Sequence, residues 1–426
     1  MEPLYRVQGG GPLRGDVGAS GAKNAALPCL AATLLTAEPC TIRNLPDIAD
    51  VGGLLAILSQ LGAEVDHDPA AHRVTVRAAG PLAEAPPDQL VGNQRASFLV
   101  MGPLLAREGR GACAAPGGDL IGQRPLDVHL RGFRALGADV RTEAGRFVAS
   151  GRLRGARMVL DYPSVLGTEN LMLAAVRAEG ETVIVNAAAE PEVAALADLL
   201  CAMGARIRGA GSHTITVTGV AALHGADYTL IPDRIEAGTF AVAAAITGGD
   251  VRIHDVRPRH LEALLSKLRE IGVEIDEDDE ALRVRRRGPL QATTAQAVPY
   301  PGLATDLQAL VTTLLTQAEG VSTVNERVFE NRLGYVAELR KMGARIVTAG
   351  SAAIVQGPTP LHGAVVQGLD VRASAALVVA ALVADGETEL RDVVHLERGY
   401  EDFGEKLRGL GAVIERRGVA PETPRA

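Results

Sequence analysis

The chain has 426 residues, of which 47% are hydrophobic, 22% charged and 3% aromatic, and it carries a formal net charge of −8. That length suggests two or three domains with cores large enough to need no disulfide staples. The acidic balance and scarcity of aromatics speak against a nucleic-acid partner, which calls for a basic face.

The N-terminal run MEPLYRVQGGGP has no basic segment leading into an apolar one, so no secretory signal is read. No run reaches about 18 uninterrupted apolar residues, so no membrane insertion is expected. The four cysteines, Cys29, Cys40, Cys113 and Cys201, show no CxxC pairing and no metal-ligand spacing. They read as small buried apolar residues in a reducing compartment, and the expected location is the cytoplasm. Of 43 basic residues only four are lysines: Lys23, Lys267, Lys341 and Lys406.

In chain order the elements repeat. A helix-ending phrase occurs as LGAEV at 61–65, LGADV at 136–140, MGARI at 203–207, IGVEI at 271–275, MGARI at 342–346 and LGAVI at 410–414. The spacings are 75, 67, 68, 71 and 68 residues. Amphipathic runs such as LLSKLREIG at 264–272 lead into the phrase, and its glycine sits where a helix C-terminus needs a left-handed residue.

A second helix recurs at 26–35, 97–106, 170–178, 238–246, 307–315 and 374–384. These segments are apolar nearly all round and are therefore expected to be buried all round. Strands such as HRVTVRA at 72–78 alternate, with one face toward solvent. The fold expected is α/β: a two-domain inside-out α/β barrel of six β-α-β-α-β-β units, three per domain. The phase of the repeat puts one domain at 23–231. The other takes 1–22 plus 232–426, with LYRVQGG joining the last three units.

Where the copies depart from each other, charge marks function. The N-termini of the apolar helices carry Lys23–Asn24, Arg95, Thr168–Glu169–Asn170, Arg234–Glu236, Asp306 and Asp370–Arg372. Helix N-termini favour anions, and Lys23, Arg95 and Arg372 strengthen that preference. A second set of loops reads PGGDLIGQRP at 116–125, NERVFENR at 325–332 and HLERGYED at 395–402. These supply Asp119, Arg124, Arg332 and Arg398. Arginine binds carboxylate and phosphate bidentately. Gly117, Gly118 and Gly122 allow positive φ and close approach to a ligand in a loop able to act as a lid. One lysine, several arginines and three aspartates, without a His or Cys cluster, suit a polyanionic substrate and proton transfer by carboxylates better than zinc or thiol chemistry.

The motifs SGAKNAAL at 20–27, NQRAS at 93–97, PGGDLIGQRPLDVH at 116–129, LIPDRIEAGTF at 230–240, TDLQ at 305–308, VFENR at 328–332, LDVRASAAL at 369–377 and ERGYED at 397–402 follow one another across nearly the whole chain. Together they resemble the UDP-N-acetylglucosamine 1-carboxyvinyltransferases of the enolpyruvyl transferase family, which share the fold expected above. The resemblance implies phosphoenolpyruvate and UDP-N-acetylglucosamine as substrates and neither metal nor cofactor. It implies that Lys23 and Asn24 contact phosphoenolpyruvate, that Arg124 and Arg398 hold its phosphate and carboxylate, and that Arg332 and Arg372 support this anion site. Arg95, Arg124, Pro125, Leu126, Asp127, Val128, Asp306 and Val328 would contact the UDP-sugar, and Asp370 belongs to the substrate-binding set. The implied catalytic residues are Asp119 as acid, Asp306 as base, Lys23 and Arg398.

Three positions depart from the family pattern. Asp119 stands where most members have Cys, which implies resistance to the thiol-directed epoxide fosfomycin. Tyr162 replaces a Lys near the UDP phosphates, and Leu166 replaces a Gly beside the nucleotide. Two other readings stay open: a silent UDP-sugar-binding paralogue, and a 5-enolpyruvylshikimate-3-phosphate synthase. The latter would need a Lys-Ser pair where Lys23–Asn24 stands. Elsewhere EIDEDDEAL at 274–282 reads as a solvated turn, RVRRRG at 283–288 as an exposed strand, and the Pro-rich tail 416–426 as disordered.

Overall fold

The structure, a computed structural model, describes residues 3–418. Contacts divide it into two compact units. The first holds the residues up to Ser20, the segment Asp119–Gln123 and the chain from Pro232 onward; the second holds Gly21–Gly118 and Arg124–Ile231. Among the described residues no helix is long and apolar enough to cross a membrane.

The first unit carries three sheets. In one, Leu4–Gln8 lies between Glu387–Arg391 and Val413–Arg417, antiparallel to both, with Val365–Gln367 added in parallel. In the next, Asp250–His254 pairs in parallel with Arg14–Gly18 and antiparallel with Ala281–Arg285, which also takes Glu274–Glu277. In the third, Ala318–Glu326 and Arg345–Ala349 flank Ala352–Gly357, and the short strands Leu290–Gln291 and Thr294–Ala297 run parallel to Ala318–Glu326.

The second unit repeats the plan. Cys40–Arg43 pairs with Asp227–Thr229 and Arg73–Arg77, with Glu64–Asp68 beyond. Glu181–Val185 pairs with Arg157–Val159 and Thr214–Thr218, with Arg206–Arg208 beyond. Its third sheet has only Arg110–Ala114, Arg146–Ser150 and Asp139–Glu143 among the described residues.

Each unit encloses apolar helices behind half-exposed sheets. In the second unit these are Lys23–Ala32, Met101–Glu108 and Val165–Ala175; in the first, Arg234–Thr247, Thr305–Leu315 and Val371–Ala381. Every residue of Val371–Ala381 is buried, as is all of Arg234–Thr247 except Thr247. The strands supply the other side of each core: Val74 and Val76 point inward from Arg73–Arg77 and Val251 and Ile253 from Asp250–His254, while the alternate residues face outward. The six glycines of the repeated phrase all take positive φ: Gly62 +103°, Gly137 +93°, Gly204 +97°, Gly272 +103°, Gly343 +96° and Gly411 +95°. Each lets the helix stop and the next strand start without a Cβ clash.

Several details differ from the sequence reading. The helix expected at 170–178 starts at Val165, capped by Ser164, so Thr168, Glu169 and Asn170 lie inside it and are buried. Of the helix expected at 97–106, residues 97–100 belong to a 3₁₀ segment, Arg95–Val100, and the α-helix runs Met101–Glu108. Cys201 is exposed, unlike the other three cysteines, because it falls on the outer face of Pro191–Ala202. Glu274–Glu277 and Ala281–Arg285 are strands, so the acidic turn shrinks to the residues between them, and the basic strand has a buried face. Arg416 and Arg417 end the last strand, while tail residues 419–426 lie outside the described residues.

Candidate active site

In the first unit the charged residues gather at the N-terminal ends of two buried helices. Asp306 is the second residue of Thr305–Leu315. Its Oδ1 accepts from Arg332 Nη2 at 2.7 Å and its Oδ2 from Arg372 Nε at 3.1 Å. Both guanidiniums are buried, whereas the Asp306 side chain keeps 22% exposure. Burial by itself pushes the Asp306 carboxyl up. Arg332 and Arg372 outweigh it and hold the group far below the usual carboxylate range. Asp306 is therefore ionised at neutral pH, and its basicity is suppressed while both arginines face it.

The arginines are themselves held. Arg332 Nη1 donates to Thr305 Oγ1 at 2.8 Å, and Thr305 donates to Glu326 Oε2 at 2.6 Å. The other oxygen of Glu326 accepts the amides of Val328 at 2.7 Å and Phe329 at 3.2 Å, which shapes the turn that carries Val328. The Arg332 guanidinium lies 5.5 Å from the centre of the Phe329 ring, and that of Arg372 lies 5.0 Å from Tyr400. Tyr400 is buried and its hydroxyl shares a 2.8 Å hydrogen bond with Thr239. Arg372 Nη1 is buried with no hydrogen-bond partner among the described residues. A donor in that state is matched by an anionic oxygen.

Asp370 occupies a different place in the same region. It is the N-cap of Val371–Ala381, its Oδ1 accepting the amides of Arg372 at 2.8 Å and Ala373 at 2.9 Å. It orients the turn that carries Arg372. Asp119 pairs with Arg398, Oδ1 to Nη1 at 2.6 Å, with both side chains less than a fifth exposed.

The second unit presents another cationic group. Lys23 is the first residue of its buried helix, and its Nζ is 2.8 Å from Asp50 Oδ2, with both side chains nearly buried. Asn24 follows it, partly buried. Arg95 begins its 3₁₀ segment, and its pKa is pushed down to about 10, by burial first and then by Arg124. Two guanidiniums that act on each other's charge favour an anion that offsets both. A Cβ at Gly118, where φ is +107°, would stand 3.2 Å from Arg124 Nη2 and 3.2 Å from the Arg95 amide nitrogen. The glycine is therefore needed for that approach. Gly117 has a different reason: a Cβ there would come 1.7 Å from the Gly92 carbonyl. Pro125, Leu126, Asp127 and Val128 run from Arg124 into helix Asp127–Ala135, with Pro125 and Asp127 exposed. Gly167 lies against Val128, where a Cβ would be 2.6 Å from Cγ1, and Tyr162 is 40% exposed.

The structure thus joins Asp306 to Arg332 and Arg372 and Asp119 to Arg398, and it sets Arg124 where its charge acts on Arg95. Sequence reasoning missed Asp50, Glu326 and the ring of Tyr400 as supports of these groups. Glu326 and Tyr400 gave a signal, through their motifs NERVFENR and ERGYED, and Asp50 gave none. Among the described residues no group of three or more His, Cys, Asp or Glu is placed to hold a metal ion.

Comparison with known proteins gives this geometry a family. The model of the EPSP synthase (3-phosphoshikimate 1-carboxyvinyltransferase) family matches residues 7–407. UDP-N-acetylglucosamine 1-carboxyvinyltransferase of Magnetococcus marinus is 50% identical over 414 residues, which covers 97% of this chain and 99% of that protein. UDP-N-acetylglucosamine 1-carboxyvinyltransferase 2 of Carboxydothermus hydrogenoformans is 50% identical over 418 residues, with 97% and 99% covered. Among solved structures, the enolpyruvyl transferase NikO from Streptomyces tendae superposes with a TM-score of 0.88 at 29% identity, covering 97% of this chain and 99% of that one. EPSP synthase from Acinetobacter baumannii, at 18% identity and a TM-score of 0.74 over 98% and 100%, shares the fold. The chain belongs to the enolpyruvyl transferase family, among the UDP-N-acetylglucosamine 1-carboxyvinyltransferases.

Proposed function

We propose that this chain is a cytoplasmic enzyme that transfers the enolpyruvyl group of phosphoenolpyruvate to the 3-hydroxyl of UDP-N-acetylglucosamine, releasing phosphate, at the first committed step of peptidoglycan synthesis. The observation that carries the reading is the Arg332–Asp306–Arg372 cluster: an ionised carboxylate between two buried guanidiniums, one of which has an unmatched donor.

The chemistry is addition followed by elimination. Asp119, as the acid, gives a proton to C3 of phosphoenolpyruvate, and C2 gains oxocarbenium character. The sugar 3-hydroxyl oxygen bonds to C2 while Asp306 takes its proton. A tetrahedral ketal results. The Asp119 carboxylate then takes a proton back from C3 as the C2–O bond to phosphate breaks, and the proton held by Asp306 passes to the departing phosphate, leaving the enolpyruvyl ether and inorganic phosphate.

Lys23, Asn24, Arg124 and Arg398 hold the anionic groups of phosphoenolpyruvate, with Arg332 and Arg372 in support. Arg95, the stretch Arg124 to Val128, Asp306 and Val328 take the UDP-sugar. An anion that engages Arg332 and Arg372 offsets the charge that weakens Asp306, so the base gains strength when the substrate arrives. Preorganised arginines facing developing charge in a water-poor site supply transition-state stabilisation.

The test is phosphate release from phosphoenolpyruvate with UDP-N-acetylglucosamine, for wild type, Asp119→Ala and Asp119→Cys. Wild type is expected to turn over and resist fosfomycin. Asp119→Ala is expected to lose about 10²–10⁴-fold in kcat, the range for one acid–base group. Asp119→Cys is expected to regain turnover and become fosfomycin-sensitive. UDP-sugar binding by wild type without turnover would replace the reading with a silent binding protein.

A further inference from the structure

The loop that carries Asp119 is anchored at its far end by a group with no role in the chemistry above. Within DLIGQ, Ile121 is buried and Leu120 is 92% exposed, so the segment packs one side inward. The Ile121 carbonyl accepts the Asn331 amide at 3.2 Å. Two residues on, the Gln123 amide donates to Glu330 Oε1 at 2.6 Å. Between them Gly122 has φ +154°, and a Cβ there would stand 2.6 Å from Glu330 Oε2 and 3.0 Å from its Cδ. Gly122 therefore fits this backbone closely against the Glu330 side chain. At the other end of the segment Asp119 meets Arg398.

From these contacts we infer that Glu330 is a positioning residue: its carboxylate latches the Gln123 backbone and thereby keeps Asp119 beside Arg398. The inference rests on the reading of Asp119 as the proton donor. Gln123 lies four positions after Asp119, a reach of at most about 14 Å. An anchor that close limits how far Asp119 strays. A charged acceptor makes the bond to the amide stronger than a neutral one. The Gln123 amide is also the first cause holding the Glu330 carboxyl below the usual carboxylate range.

The test uses iodoacetamide on the Asp119→Cys variant, alone and combined with Glu330→Ala or Glu330→Gln. The modified peptide is quantified by mass spectrometry, which separates it from the exposed Cys201. Glu330→Ala is expected to speed alkylation at position 119 by about three- to tenfold, the effect of losing one exposed charge-assisted hydrogen bond. Glu330→Gln, which keeps an acceptor, should fall between. In the enzyme that retains Asp119, Glu330→Ala should lower kcat several-fold while KM for UDP-N-acetylglucosamine stays unchanged. Equal alkylation rates in all three backgrounds would overturn the latch even where wild type turns over. Faster alkylation in a protein without turnover would uphold the latch and remove the catalytic reading of Asp119.

Discussion

His129 shows how a single buried group links the site to stability. Its Nδ1 lies 3.0 Å from Asn170 Nδ2, which also donates to the Phe98 carbonyl, while Asn170 Oδ1 accepts the Gly102 amide. The ring stands edge-on to Phe98, centroids 5.2 Å apart. Burial first, and then the charge of Arg95, push its pKa down to about 3. In the unfolded chain the value is about 6.5. Between these limits the unfolded state binds the extra proton. The stability is therefore fully present above about pH 6.5 and drains as pH falls toward about 3. Replacing the imidazole by a group that does not titrate, His129→Gln, is expected to flatten the acid limb of the urea midpoint. The flattening should amount to at most about 1.4 kcal/mol per pH unit over that window. An unchanged slope would mean that the imidazole takes its proton without penalty. At this scale the sequence revealed kinds of residue and not their partners. Asp306 and Arg332 are 26 positions apart and Asp119 and Arg398 are 279 apart, so no local spacing announces the pairs.

Among the elements, helix ends were the most legible, because a glycine after an amphipathic run has one economical use: the left-handed turn. Gly272 ends Glu262–Ile271 at φ +103°, with the Pro289 carbonyl 3.4 Å from where a Cβ would be. Gly272→Ala should cost about 1–2 kcal/mol for a left-handed Ala. Gly288→Ala, where nothing lies within 4 Å and φ is not left-handed, should be neutral within about 0.5 kcal/mol. Urea midpoints of the two variants decide it; equal midpoints would remove the steric account. Helix starts were harder. The polar run Thr168–Glu169–Asn170 was expected at the N-terminus of an apolar helix, among the charges that mark function. It is instead folded into the second unit's core, where Thr168 Oγ1 accepts the Ala188 amide and Asn170 is fully bonded. Partners from elsewhere in the unit take up the polarity of Thr168 and Asn170, whereas Glu169 Oε1 is buried with no hydrogen-bond partner among the described residues.

Closure of the first unit depends on charges far apart in the chain. Lys406 Nζ donates to Glu236 Oε1 at 2.7 Å and to Ser20 Oγ at 2.6 Å, and Ser20 Oγ donates to Glu401 Oε2 at 2.6 Å. Glu236 is 2% exposed and also accepts the Ser20 amide at 2.6 Å. The network ties the end of the N-terminal segment to Arg234–Thr247 and Phe403–Gly409. Lys406→Met leaves buried carboxylates without their cation and is expected to lower unfolding free energy by about 3–5 kcal/mol. Adding Glu236→Gln should recover part of that loss. A loss below about 0.5 kcal/mol in the single variant would show that the carboxylates are satisfied without the lysine.

The sequence by itself determined the six-fold repeat, the helices buried all round, the left-handed glycines and the excess of arginine over histidine and cysteine at the helix ends. Periodicity and backbone sterics act over a few residues, so they are written locally. Only the tertiary structure decided that Asp306 is gripped by Arg332 and Arg372, that Lys23 meets Asp50, that Asp370 caps its helix, and that Glu330 holds the Asp119 loop. These are choices among many similar charges, and they are made by which elements the fold brings within hydrogen-bond reach.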